Sequence, residues 1–114
     1  MSKLAVFIDG CCEPNPGGTM GFGVLILDGD QETWACNGIA PDPDRTSSNN
    51  LAEYTALLAA LFWLLESGHC DREIAILSDS KLVIEQMSGR WQIGRGFYVK
   101  AAYQAQKLAT EFPI

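Results

Sequence analysis

Two short apolar runs, each followed within two residues by an aspartate, flank one long helical segment, and that arrangement leaves few folds open. Leu4 to Ile8 is continuous, apolar and rich in β-formers, so it reads as a buried strand running into Asp9. Glu73 to Leu77 reads as another, running into Ser78 and Asp79. Between them a helix starts near Asn50, where Asn50 and Glu53 fit a capping box with Asn in place of Ser or Thr. Leu57, Leu58, Leu61, Leu64 and Leu65 follow at helical spacing, and Ser67-Gly68 stops the helix. Strand, crossover helix and strand imply two parallel strands in one sheet. If these are neighbours, Asp9 and Asp79 stand at adjacent carboxyl ends, the usual place for a site in an open α/β sheet.

The rest of the chain fills in around that unit. Pro14 to Gly18 is a turn. Phe22 to Leu27 is a strand closed by Asp28-Gly29-Asp30, a hairpin signal, and Gln31 to Ile39 pairs back antiparallel to it. Ala40 to Ser48 is a loop bearing Pro and Asp. Ser80 to Met87 is a short helix ended by Ser88-Gly89, and Phe97 to Glu111 is a last helix. The order β-β-β-α-β-α-α describes an α/β fold. Its mixed sheet has three antiparallel strands and a fourth parallel to the first, flanked by helices. With 114 residues, 47% of them apolar, and no repeats or linkers, residues 1–114 read as one domain with a modest core.

Each acid has an ordinary explanation on its own. Asp9-Gly10 is a common turn pair, Glu53 closes a capping box, and Asp79 suits an N-cap. None of these explains why all three converge on one edge of the same sheet. Clustered carboxylates bind Mg²⁺ or Mn²⁺, hard cations that prefer oxygen. Two such ions clamp the attacking and leaving oxygens of a phosphodiester. A net charge of −6 argues against a general nucleic-acid binder, because non-specific affinity comes from Lys and Arg. A nucleic-acid substrate would instead depend on metal ions to screen the site. A strand-end Asp also suits a phosphatase nucleophile, but such sites commonly carry a second Asp two residues on, where this chain has Cys11.

Cys11, Cys12, Cys36 and Cys70 form no C-x-x-C pair, which argues against a zinc site. They read as reduced thiols of a cytosolic protein. No signal peptide is visible, and the longest apolar stretches are too short to span a bilayer, so no membrane partner is expected.

Taken together, Asp9-Gly10, Asn15-Pro16-Gly17-Gly18, Asn49-Asn50-Leu51-Ala52-Glu53 and Ser78-Asp79-Ser80 resemble type 1 ribonuclease H in order and spacing. Asp79 to Val83 with Gln86 to Gly89 is similar to the bacterial and archaeal branch of that family, and the resemblance covers nearly the whole chain. It implies an endonuclease that cuts the RNA strand of RNA–DNA hybrids, leaving 5′-phosphate and 3′-hydroxyl ends. Asp9, Glu53 and Asp79 would be the catalytic carboxylates, holding two Mg²⁺ (or Mn²⁺) ions. The resemblance also implies hybrid contacts in the minor groove at Cys12, Asn15, Asn49 and Asn50, with Gly10, Ser80 and Lys81 beside the acids in the substrate-binding set. Asn amides donate to and accept from the 2′-hydroxyl that separates RNA from DNA. Ser48 matches a hydroxyl that holds a DNA-strand phosphate, with Ser47 an equal choice. Read locally, Asn50 remains a good N-cap and Asn15 an ordinary turn residue. Trp91 either packs on the DNA strand's sugars or covers the core edge. Arg90, Arg95 and Lys100 give its surroundings some positive charge.

The departure from the family lies at the C-terminal end. The family carries a further strand after the last helix, then a loop and a fourth acid, whereas this sequence ends at Ile114. The domain is therefore expected to be C-terminally short. His69 does not match the family's loop histidine and reads as a helix-end residue. Glu85 and Glu111 are the remaining candidates for a substitute carboxylate. An open sheet edge beside the fourth strand is expected, suited to a homodimer, together with weaker binding of one ion. A hybrid-binding module with little turnover is the alternative to the enzyme.

Overall fold

The structure, a computed structural model, describes residues 3–14, 18–40, 48–69, 71–96 and 98–112. Its elements are β1 (Leu4–Glu13), β2 (Thr19–Asp28), β3 (Gln31–Ala40), α1 (Asn49–Glu66), β4 (Ile74–Leu77), α2 (Lys81–Met87) and α3 (Val99–Ala109). The strands form one sheet in the order β3-β2-β1-β4. β1 runs parallel to β4, and the other pairs are antiparallel. The expected order and the parallel pairing are both present.

Two strands are longer than their apolar runs. β1 continues from Ile8 to Glu13, and β2 begins at Thr19 rather than Phe22. The added half of β1 pairs along β2: Asp9 with Gly23, Cys11 with Gly21, Glu13 with Thr19. In this half of β1 only Cys12 is buried, against Met20 and Ala52, and backbone pairing with β2 carries the rest, so no run of apolar residues marks it. Asp9-Gly10 is therefore strand, not turn. The parallel pairing with β4 covers only Leu4 to Phe7 against Ile74 to Leu77. Asp9 and Asp79 each stand two residues beyond the last pair, Phe7 with Leu77, and that equal offset brings them side by side.

One face of the sheet is packed against helices. Leu4, Val6, Ile8, Val24 and Ile26 meet Leu57, Leu61 and Leu64 of α1 in a single core. Ala52, Ala56 and Ala60 are fully buried one turn apart and let the α1 backbone approach the strands closely. Ala102, Ala105 and Phe112 close the core from the α3 side. Trp34 of β3 stacks on Trp63 of α1, with centroids 5.0 Å apart. Arg72 forks onto both oxygens of Asp28, tying the approach to β4 to the end of β2. On the opposite face Phe7 and Leu77 are partly exposed. β4 lies at the sheet edge, with no strand beyond it among the described residues.

The helix starts differ from expectation. Ser48, not Asn50, caps α1, its hydroxyl accepting the Leu51 N–H. Ser80, not Asp79, caps α2 by accepting from Val83 N–H. A serine hydroxyl in each N-cap position satisfies an otherwise orphaned N–H and leaves the carboxylates of Glu53 and Asp79 for other partners. α3 runs from Val99 to Ala109 rather than from Phe97 to Glu111, with Phe97 outside the described residues. Thr110 and Glu111 turn back through backbone bonds to Lys107 and Leu108.

Candidate metal centre

α1 crosses β1 at Gly10, and the crossing is close. A Cβ on Gly10 would stand 2.4 Å from the Ala52 carbonyl carbon and 2.6 Å from the Glu53 nitrogen, so no side chain fits there. Glycine lets the helix backbone come down onto the strand, and Glu53 arrives beside Asp9 as a result. Its Oε1 accepts the Gly10 N–H at 3.1 Å. From the other side the Ser78 hydroxyl donates to Oε2 at 3.3 Å, and Ser78 Oγ accepts the Ser80 N–H at 3.0 Å. The helix carboxylate is thus gripped by the backbone of β1 and by the residue that follows β4.

Asp9, Glu53 and Asp79 offer carboxylate oxygens that all lie within 4.8 Å of one another. Asp9 and Asp79 are exposed, while Glu53 is 6% exposed. Burial pushes the Glu53 pKa up; the Gly10 N–H opposes this, and the charges of Asp9 and Asp79 push it further. A buried carboxylate facing two others is a place short of positive charge. Three oxygen donors converging there fit a hard divalent cation.

The candidate substrate residues divide by what holds them. Asn49 Oδ1 accepts the Cys12 N–H at 2.7 Å, pinning the start of α1 to β1. Cys12 is buried, and its thiol donates to the Pro14 carbonyl at 3.2 Å. Ser48 and Ser80 are engaged as caps. Asn50 is exposed in the first turn of α1, and Lys81 is exposed in the first turn of α2, its Nζ 5.8 Å from the Trp91 ring centroid. Trp91 is itself exposed. Asn15 and Ser47 lie outside the described residues.

Neither candidate for a substitute carboxylate belongs to the cluster. Glu85 pairs with Arg90 through two nitrogens, and that hydrogen-bonded guanidinium holds its carboxyl below the usual range. Glu111 follows α3, its N–H bonded back to the Leu108 carbonyl. His69 serves a helix end: its N–H donates to the Leu64 carbonyl and its ring stacks on Trp63. Ser78 is the residue that pattern reading passed over. Its signal was a hydroxyl at the end of a strand, immediately before a candidate ligand.

Fold and site together define a mixed α/β domain with a three-carboxylate centre at the carboxyl edge of its parallel strand pair. The chain belongs to the RNase H family, whose profile matches residues 1–111. It is 37% identical over 110 residues to the bifunctional protein Rv2228c of Mycobacterium tuberculosis, covering 96% of this chain and 29% of that one. The structure of that protein's N-terminal RNase H domain, fused to maltose binding protein, superposes with a TM-score of 0.85 at 34% identity, covering 97% of this chain and 81% of that one. Ribonuclease HI of Halobacterium salinarum is 32% identical over 96% of this chain and 52% of its own length. LC11-RNase H1, solved in complex with an RNA/DNA hybrid, gives a TM-score of 0.84 at 26% identity, covering 97% of this chain and 79% of that one. The chain thus spans under a third of the mycobacterial relative and about half of the halophilic one.

Proposed function

We propose that this chain is a divalent-metal-dependent nuclease that hydrolyses the RNA strand of RNA–DNA hybrids. The observation that carries the reading is the convergence of Asp9, Glu53 and Asp79 within 4.8 Å. Membership of the RNase H family supports it, as does the hybrid bound by LC11-RNase H1. Asp9, Glu53 and Asp79 act as the metal ligands. Two Mg²⁺ or Mn²⁺ ions bound there would activate a water and stabilise the leaving 3′ oxygen, giving 5′-phosphate and 3′-hydroxyl ends.

The chain's own contribution is geometric. Gly10 and Ser78 lock Glu53 in place, while the exposed carboxylates of Asp9 and Asp79 face the substrate side. Gly10, Cys12, Asn15, Ser48, Asn49, Asn50, Ser80 and Lys81 form the substrate-binding set, with the start of α1 suited to a backbone phosphate. The thiols of Cys11 and Cys36, which form no disulfide, suit a reducing, cytosolic setting. Among the described residues β4 is an edge strand, and that edge is the surface through which two copies would pair. Sedimentation velocity at rising concentration checks this, and a monomer throughout would remove the dimer.

Cleavage of an end-labelled hybrid with Mg²⁺, Mn²⁺ or EDTA, for the parent and Asp79→Asn, tests the nuclease. RNA should be cut only in the hybrid and only with metal, and the variant should lose the cutting. A folded parent that binds hybrid but cuts nothing would replace the enzyme with a hybrid-binding module.

A further inference from the structure

One buried amide joins α1, α2 and the strap between α2 and α3. Gln86 of α2 is 1% exposed and bonded on both sides of its amide. Its Oε1 accepts the Tyr54 hydroxyl at 2.6 Å. Its Nε2 donates to the Gln92 carbonyl and to the Tyr98 hydroxyl, each at 3.1 Å. Tyr54 follows Glu53 on α1. The α2 helix that carries Gln86 is capped by Ser80, directly after Asp79. Gln92 follows the exposed Trp91 in the strap between α2 and α3. A Cβ on Gly96, two residues before Tyr98, would meet its ring at 3.1 Å. The Tyr54 and Tyr98 rings stack, with centroids 5.9 Å apart.

An apolar side chain of the same size would fill this place without the cost of desolvating an amide. What the amide adds is direction: three bonds fix α1, α2 and the strap at once, and a fully satisfied buried network selects one arrangement. We propose that Gln86 is a positioning residue, setting Glu53 against Asp79 through Tyr54 and setting the Trp91 strap against the same centre through Gln92. The strap arm rests on the nuclease reading; the metal arm rests only on the carboxylate cluster.

The two arms separate by substitution. Tyr54→Phe deletes one oxygen and breaks the metal arm. Gln86→Glu keeps the acceptor for Tyr54 and loses the donors to the strap, and Gln86→Met loses both. In Tyr54→Phe the Mn²⁺ concentration for half-saturation of the free protein, read by electron paramagnetic resonance, should rise about three- to tenfold, the worth of one hydrogen bond. Its KM for hybrid at saturating Mn²⁺ should match the parent's. Gln86→Glu should reverse the pattern, with the parent's Mn²⁺ midpoint, a raised KM, and faster amide hydrogen exchange across residues 89–96. Gln86→Met should show both effects. Folded variants that keep the parent's midpoint, KM and exchange rates, and lose only melting temperature, would overturn the inference. Should Gln86→Glu not fold, Tyr54→Phe decides alone. A parent that cleaves no hybrid would remove the nuclease reading, and the Mn²⁺ midpoints and exchange rates would still decide this one.

Discussion

Glu53 is buried where Asp9 and Asp79 are exposed, and that difference governs how the metal-free protein responds to pH. Burial, with the charges of Asp9 and Asp79, raises its pKa above the ordinary 4.5. Folding therefore favours the protonated form. Its contribution to stability is full below the ordinary glutamate value and is lost as pH rises through the raised, folded one. Metal-free Glu53→Gln should melt about 2–4 °C above the parent at neutral pH and level with it in acid. Gln can still accept the Gly10 N–H, so that bond is not the difference. Mg²⁺ should raise the melting temperature of the parent and not of the variant. Calorimetry from about pH 3.5 to about pH 8, with and without Mg²⁺, checks both points. Parallel profiles for the two proteins would show that Glu53 is not the charge this centre needs to neutralise.

The start of α1 holds two adjacent asparagines in different employment. Asn49 is a strut between helix and strand, accepting from Cys12 N–H, whereas Asn50 points into solvent from the first turn. Asn49→Ala takes that acceptor from a part-buried donor and should cost about 1–2 kcal/mol in urea unfolding. Asn50→Ala should stay within about 0.5 kcal/mol and instead reduce the preference for hybrid over DNA duplex in competition binding. Equal stability losses for the two would contradict this division. The two serine caps follow the same logic: each starts a helix with a hydroxyl and leaves a neighbouring acid to the centre.

Taken as one body, the protein carries 14 acidic residues against eight Lys and Arg. Such a surface does not hold nucleic acid by charge alone, since phosphate binding draws on cations. Metal ions at the centre would therefore carry much of the attraction. At constant ionic strength, replacing Mg²⁺ by EDTA should weaken hybrid binding about tenfold or more. In EDTA the dependence of log affinity on log salt should report only about two to three neutralised phosphates. Fluorescence anisotropy over a salt series measures both, and a steep, metal-independent slope would show that a basic surface, not the metal, carries the attraction.

What the chain settles locally is the kind and order of its elements. Burial on one or both faces writes its period into Leu4 to Ile8 and into the leucines of α1, and a helix between two strands makes them parallel. The three acids were legible for the same reason: each follows or begins a patterned segment. The second half of β1 was not, because it buries only Cys12 and is otherwise held by backbone pairing with β2. Nor were the caps, since Ser48 and Asn50, or Asp79 and Ser80, have similar local capping tendencies. The grip of Ser78 on Glu53 and the embrace of Gln86 by Tyr54, Gln92 and Tyr98 belong to the packed molecule. Side-chain pattern reports each residue's exposure to its neighbours in sequence; which distant groups meet is decided when the helices close on the sheet.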